Sequence, residues 1–347
     1  MIHLDGSQGE GGGQILRTAL ALSIVTGRSF RLTHIRAARP KPGLMRQHLA
    51  CVQAAARIGS ARVDGAGLGV TELTFEPGEL VPGRHEFRIG SAGSTLLVLQ
   101  TILPPLMLAD RPSEIVLEGG THNPFAPPFP FIAAAFLPLL RRLGFRVTAR
   151  LEHAGFYSSG GGRCHFEIEP VEYGAVLALE APESLLESRA NLSALVCLSG
   201  LSPTVAEREF EIVREGLGIL PDQCELDACI GSVGPGNTVH VRVGQDDFSE
   251  VFTGFGAPHV RSEEVARGVV DAVEAFRATG APVGEQLADQ LLLPLALGQG
   301  GQFVTVAPSA HTCTNAEVIR EFLDTEIAIV PDGFGRWRIA VEGRKSS

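Results

Sequence analysis

The chain has 347 residues, 44% of them apolar and 20% charged, which excludes a disordered chain and exceeds what one hydrophobic core ordinarily serves, so two domains are expected. A net charge of −10 excludes a protein that coats nucleic acid through broad Lys/Arg contacts, while leaving room for one basic pocket. With one Trp and two Tyr, an extended base-stacking surface is excluded as well.

The N-terminal MIHLDGSQGE lacks a basic start followed by an apolar run, so no signal peptide is expected. Apolar stretches such as 94–109 are broken by Gln100, Pro104 and Pro105, so no membrane span is expected and the location is read as cytoplasmic. In chain order, a glycine cluster feeds an apolar helix at 11–25, followed by a strand at 30–35 and an amphipathic helix at 44–58 closed by Gly59. The order returns with a helix within 90–107, a strand at 114–117, a helix at 129–143 closed by Gly144, and paired strands at 146–151 and 165–168. A third round has helices at 284–297 and 315–323 around a strand at 302–307, then strands at 327–330 and 336–341.

These are three repeated βαβαββ units. The surplus chain reads as a smaller inserted α/β domain at 183–277, with helices at 185–201, 205–217 and 262–278 and a strand at 238–243. The expected fold is therefore α/β (α+β), with a three-repeat body at 1–182 and 278–347 and the insert in the third repeat.

Several segments could carry chemistry. DGSQGEGGGQILR is a glycine-rich turn entering a helix, where backbone N–H groups and the positive helix end suit a phosphate. Its Glu10 could hold Mg²⁺ beside that phosphate; a plain tight turn is the alternative. The next connection, 34–48, gathers Arg36, Arg39, Lys41 and Arg46 in a proline-stiffened loop, and arginine forks match phosphate oxygens two at a time. A solvated basic loop is the alternative there. Gly90–Ser94 repeats the glycine turn without its acid, and Gln100 follows as a polar residue in an apolar helix, bound either to a ligand or to a neighbouring backbone. The loop GGTHNPFAPP is rigid enough to rim a site, with His122 a structural or a functional histidine.

Asp289 and Gln290 interrupt an otherwise apolar helix, and a buried carboxylate needs partners. His311 follows a strand and precedes a helix, at the mouth where open α/β sheets bind ligands. Cys313 offers a thiol nearby, with no histidine pair to activate it. The six cysteines, Cys51, Cys164, Cys197, Cys224, Cys229 and Cys313, lack metal-ligand spacing, so free thiols and no zinc site are expected.

Taken together, DGSQGEGGGQILR, IRAARPKPGLMRQH, IGSAGSTLLVLQT, GGTHNPFAPP, GFYSSGGG, GPGNTV, FTGFG, LADQL and SAHTCTN resemble, in order and along essentially the whole chain, the RNA 3′-terminal phosphate cyclase family. The resemblance implies three units like the C-terminal domain of translation initiation factor 3 with an α/β domain inserted in the third. It implies ATP-dependent conversion of an RNA 3′-phosphate to a 2′,3′-cyclic phosphate through a histidine-AMP intermediate, with ATP and a divalent metal, Mg²⁺ or Mn²⁺, required.

Carried over position by position, His311 is the nucleophile and Glu10 the metal-binding carboxylate. Gln100, Gln286, Leu287, Ala288, Asp289 and Gln290 match ATP-contacting positions, with Phe252 and Pro127 flanking adenine. Arg17, Arg36, Arg39, Arg46, Gln47 and His48 match the basic positions offered to triphosphate and RNA 3′-phosphate. The implied partner is an RNA 3′-phosphate end, with DNA ends as a further acceptor to test; the motifs do not speak to oligomeric state. Two positions depart from the family pattern: Gln286 stands where some bacterial members have an aromatic residue, and Ala257-Pro-His follows FTGFG in place of charged and glycine residues. A noncatalytic branch acting in ribosome assembly lacks the histidine, and enolpyruvyl-shikimate transferases carry two domains of three units each; neither pattern is seen here.

Overall fold

The computed structural model describes residues 1–170, 176–179, 189–245 and 247–344. β1 (Ile2–Asp5) enters a glycine-rich turn and α1 (Gln14–Thr26), which stops where Gly27 takes a φ of 68°, a left-handed conformation that costs glycine no Cβ clash. β2 (Phe30–Thr33), α2 (Arg46–Ile58), β3 (Arg62–Asp64) and β4 (Leu73–Glu76) complete the first group. β5 (Arg84–Arg88), α3 (Thr95–Met107) and β6 (Ser113–Gly119) follow. α4 is one helical run, made of Phe129–Phe131, a π turn at Ile132–Phe136 and Leu137–Arg142. β7 (Arg146–His153), β8 (Gly162–Glu169) and β9 (Leu177–Leu179) come next.

The central stretch holds β10 (Leu192–Ser199), α5 (Thr204–Leu217), β11 (Cys224–Asp227), β12 (Gly236–Gln245), β13 (Phe248–Phe255) and α6 (Ser262–Thr279). The chain closes with α7 (Glu285–Leu297), β14 (Gly300–Thr305), α8 (Ala310–Phe322), β15 (Ile327–Gly333) and β16 (Arg336–Glu342).

Among the described residues, three of the four sheets share one order, β1-β2-β4-β3, β5-β6-β8-β7 and β9-β14-β16-β15. In each the first two strands are parallel and the remaining pairings antiparallel. One apolar core joins these three sheets to α1, α2, α3, α4, α7 and α8. The fourth sheet, β11-β10-β12-β13, packs with α5 and α6 around a core of its own, including Val196, Val213, Val239 and Val269. No helix among the described residues is long and apolar enough to cross a membrane.

Two local expectations change. The helix expected at 185–201 is the strand β10 over 192–199; its first residues lie outside the described residues. Leu192, Ala194, Val196 and Leu198 face α5 and α6, while Cys197 faces Ala154 and Phe156. A strand buried on both faces loses its polar alternation and reads like a helix. The last helix starts at Ala310, because Ser309 Oγ accepts from Thr312 N at 3.2 Å and caps it.

The π turn has a traceable cause. Pro138 has no N–H to offer the Ala134 carbonyl four residues back. That carbonyl instead accepts from Ser249 Oγ of β13 at 2.6 Å, so an imperfection in α4 becomes a tie to the fourth sheet.

Candidate active site

The turn after β1 folds back on α8. Gly9, at φ 59°, lies against Thr314 Oγ1 with no room for a Cβ, and Thr314 Oγ1 accepts from Glu10 N at 3.0 Å. Glu10 is 4% exposed in its side chain and does three things. Its Oε1 accepts from Gln14 N at 3.1 Å, satisfying a free N–H at the start of α1. Its Oε2 accepts from Arg39 at 2.5 Å. Its Oε1 also lies 3.9 Å from Nδ1 of His311, whose ring is 49% exposed in the first turn of α8.

The starts of α1, α2 and α3 meet here too. A Cβ on Gly13, at the N-terminus of α1, would stand 2.6 Å from His48 Nε2 and 2.8 Å from Arg17, so the absence of a side chain there lets α1 and α2 close up. Gln47 Oε1 accepts from Ser94 N, the cap of α3, at 3.2 Å. Four helix N-termini therefore share one neighbourhood, each contributing partial positive charge. In a chain of net charge −10 this is a local inversion of sign.

The basic residues divide by position. Arg17 is buried, with one bond of 2.5 Å to Gln14 Oε1 and an unpartnered Nε. Arg36, at φ 55°, is pinned by the carbonyls of Lys41 at 2.6 Å and Gly43 at 3.0 Å, which fixes the shape of the basic loop. Arg39 reaches Glu10, and Arg46 is exposed at the start of α2. His48 is not a cation: burial foremost, then Arg17, Arg36 and Arg39, pushes its imidazole down to about 3. Met45 N lies 3.3 Å from Nδ1 and donates to it, so the proton is on Nε2 and faces Gly13. The expectation that His48 supplies positive charge is replaced by a neutral N–H donor.

Beneath this rim a pocket opens between α1, α3, α4, α7 and α8, lined by Arg17, Gln100, Asp289, Gln290 and Asn315 among others. Asp289 finds partners as expected: Asn315 Nδ2 at 3.0 Å and Gln290 Nε2 at 3.2 Å. Burial raises its carboxyl above the ordinary value, opposed by the nearby Arg17 and His311. Asn315 is in turn fixed by Thr18 Oγ1, which donates at 2.8 Å. Gln100 Oε1 is buried in the pocket wall without a partner. Pro104 and Pro294 also line it; lacking N–H groups, they leave the carbonyls of Gln100 and Gln290 unserved within their helices.

A second pocket lies between β13, α6 and the start of α7, lined by Phe252, Gln286, Pro128 and Glu250. Phe252 and Gln286 thus meet, while the proline at the wall is Pro128, next to the expected Pro127. Leu287 and Ala288 are fully buried in the main core and line neither pocket. Sequence reasoning missed Thr314 and Asn315, although their spacing from His311 sets all three on one helix face. It also missed Glu250, whose Oε2 accepts from Gly284 N at 2.7 Å across the junction of β13 and α7.

The fold and site define a mixed α/β protein in which a half-exposed histidine, a carboxylate and arginines gather at converging helix N-termini, a class suited to attack on phosphorus. A family model described as RNA 3′-terminal phosphate cyclase matches residues 8–329. The RNA 3′-terminal phosphate cyclase of Koribacter versatilis (strain Ellin345) is 46% identical over 329 residues, covering 95% of this chain and 92% of that one. That of Ralstonia nicotianae (strain ATCC BAA-1114 / GMI1000) is 46% identical, covering 94% and 93%. The chain belongs to the RNA 3′-terminal phosphate cyclase family. Among solved structures, EPSP synthase from Acinetobacter baumannii matches with a TM-score of 0.34 at 13% identity, over 99% of this chain and 65% of that one.

Proposed function

We propose that this chain is a catalytic RNA 3′-terminal phosphate cyclase of the cytoplasm, working through an adenylated His311. The observation that carries the reading is the half-exposed His311 ring beside the buried Glu10 carboxylate, 3.9 Å away, where four helix N-termini and Arg17 and Arg39 converge. In keeping with it, the three sheets of common order are three copies of one βαβαββ unit, and 183–277 is a domain inserted in the third.

With Nδ1 turned toward Glu10, Nε2 is the nitrogen left for attack. It forms a P–N bond to the α-phosphorus of ATP while the bond to pyrophosphate breaks. An oxygen of the RNA 3′-phosphate then displaces the histidine and forms an anhydride with AMP. The neighbouring 2′-oxygen finally attacks the 3′-phosphorus, AMP leaves, and the hydroxyl proton is lost. The last attack is intramolecular, so proximity supplies much of its rate. Arg17, Arg39, Arg46 and the neutral His48 N–H bind phosphate oxygens; Arg36 holds the loop that presents them.

Phe252, Pro128 and Gln286 form the base pocket, with Gln100, Asp289 and Gln290 below the phosphates. A single buried carboxylate at an open rim fits a divalent ion such as Mg²⁺ or Mn²⁺ that keeps most of its water, and Glu10 would hold it. Such an ion, when bound, neutralises phosphate charge.

The test is incubation with ATP radiolabelled at the α-phosphate, followed by denaturing electrophoresis. Acid-labile, base-stable label is expected on the wild type and none on His311→Ala. Label persisting on the variant would move the nucleophile elsewhere. No label on folded wild type with either metal would remove the covalent mechanism.

A further inference from the structure

His122, in the 119–128 loop, is 1% exposed. Its Nδ1 lies 2.9 Å from Thr121 Oγ1, while its Nε2 is buried with no hydrogen-bond partner. A buried ring nitrogen left unpaired costs on the order of 1–3 kcal/mol, so its surroundings need an explanation. The ring faces His240 of β12, 5.8 Å between centroids and edge-on. His240 Nδ1 is 2.9 Å from Thr253 Oγ1, and its Nε2 is 2.8 Å from Thr238 Oγ1. Thr238 stands opposite Cys197 in the β10–β12 ladder. The ligand atoms of His122, Cys197 and His240 all lie within 4.8 Å of one another, as do those of Cys197, Asp227 and Cys229. Cys197 belongs to both groups, and Cys229 is buried beside it with Ala154 and Phe156.

We propose that His122, His240, Cys197 and Cys229 bind one zinc ion that fastens the β11-β10-β12-β13 sheet to the 119–128 loop. Two imidazoles and two thiols are a donor set that zinc takes in tetrahedral sites, with metal–nitrogen and metal–sulfur distances of about 2.0 and 2.3 Å. Those distances set neighbouring ligand atoms roughly 3.3–3.8 Å apart, so each group must draw in by up to about 1.5 Å, and Cys229 reaches the histidines' ion through its place beside the shared Cys197. Each histidine already has a threonine hydroxyl on Nδ1, the outer partner that orients a ligating imidazole. Binding at His240 Nε2 requires only that the Thr238 hydroxyl turn away. Asp227, exposed at the rim, accepts from Cys229 N at 2.8 Å and so holds the turn that carries Cys229.

The absence of ligand spacing in the sequence excluded a zinc site only as a local motif. The four ligands come from a loop and three separate parts of the fourth sheet's segment. The ion would set where the sheet bearing Phe252 stands relative to the loop ending in Pro128, the two walls of the second pocket.

The test uses the untagged full chain, produced with zinc in the medium and purified without chelator. About one zinc per chain is expected by atomic emission, reduced at least tenfold in His122→Ala and in Cys197→Ala and retained in Cys224→Ala. Wild type exchanged into Co²⁺ should show tetrahedral d–d absorption in the visible and a thiolate-to-cobalt band in the near ultraviolet. That spectrum decides the matter even if the variants fail to fold. Wild type without zinc and without those bands would overturn the proposal. So would a non-reduced mass lower by two hydrogens that Cys197→Ala abolishes, which would assign Cys197 and Cys229 to a disulfide.

Discussion

Gln100 carries a buried amide oxygen with no partner, on a helix otherwise nearly all apolar. An unsatisfied acceptor of this kind costs on the order of 1 kcal/mol or more of stability, and is kept where a ligand completes it. Gln100→Leu should therefore raise the stability of the ligand-free protein by about 1 kcal/mol. The same change should raise the KM for ATP by about tenfold, the worth of one lost hydrogen bond in a closed pocket. Thermal unfolding and steady-state kinetics read the two effects separately. A variant that gains stability with KM unchanged would show that the oxygen faces a void and not a ligand. Arg17, whose Nε is also unpartnered, lines the same pocket, so two incomplete polar groups point to one site.

At the scale of elements, α7 begins at a junction held by Glu250, which is 4% exposed and accepts from Gly284 N. Burial raises its carboxyl to about 7, with the bonds from Gly284 and Val251 opposing. The unfolded carboxyl titrates near its ordinary value of 4.5. Because the folded value is the higher one, this group's contribution is fully present below 4.5 and is lost as pH rises through 7. Between about pH 5 and about pH 8, wild type should lose about 2 to 3 kcal/mol that Glu250→Gln does not. Urea midpoints at the two pH values give that difference; equal losses in both proteins would mean that Glu250 stays ionised in its place.

The helices flanking this junction, expected at 262–278 and 284–297, form at Ser262–Thr279 and Glu285–Leu297, almost to the residue. The strand β10 was not, because both its faces are covered and its apolar residues run without polar breaks. Nor was the tie between Ser249 and Ala134, since a proline's missing N–H shows which carbonyl is free but not what reaches it.

On the scale of the whole molecule, the signal of the site lay in motifs spread from Glu10 to Asn315, and only the fold shows why they belong together. Glu10 touches α8 through Thr314, Arg17 and Asp289 line one pocket, and Gln47 accepts from Ser94 N at the start of α3. The same distance in sequence hid the two groups that share Cys197, one with His122 and His240 and one with Asp227 and Cys229. The assembled site is a small positive focus in an acidic molecule of net charge −10, and this fixes how the protein should respond to salt. Of its arginines, Arg36 is bound to backbone carbonyls, and the proposed function assigns Arg17, Arg39 and Arg46 to phosphates.

Each phosphate neutralised on a single strand contributes roughly −0.7 to the slope of log affinity against log salt. Three contacts give a slope of about −2, and the surrounding acidic surface adds none. Binding of a 3′-phosphorylated RNA at fixed divalent ion, followed by fluorescence anisotropy across a salt series, measures it. Lengthening the RNA should leave the slope unchanged, because the protein grips an end. A slope steeper than about −5, or one that grows with RNA length, would require a basic track along the strand and would refute the end-binding reading.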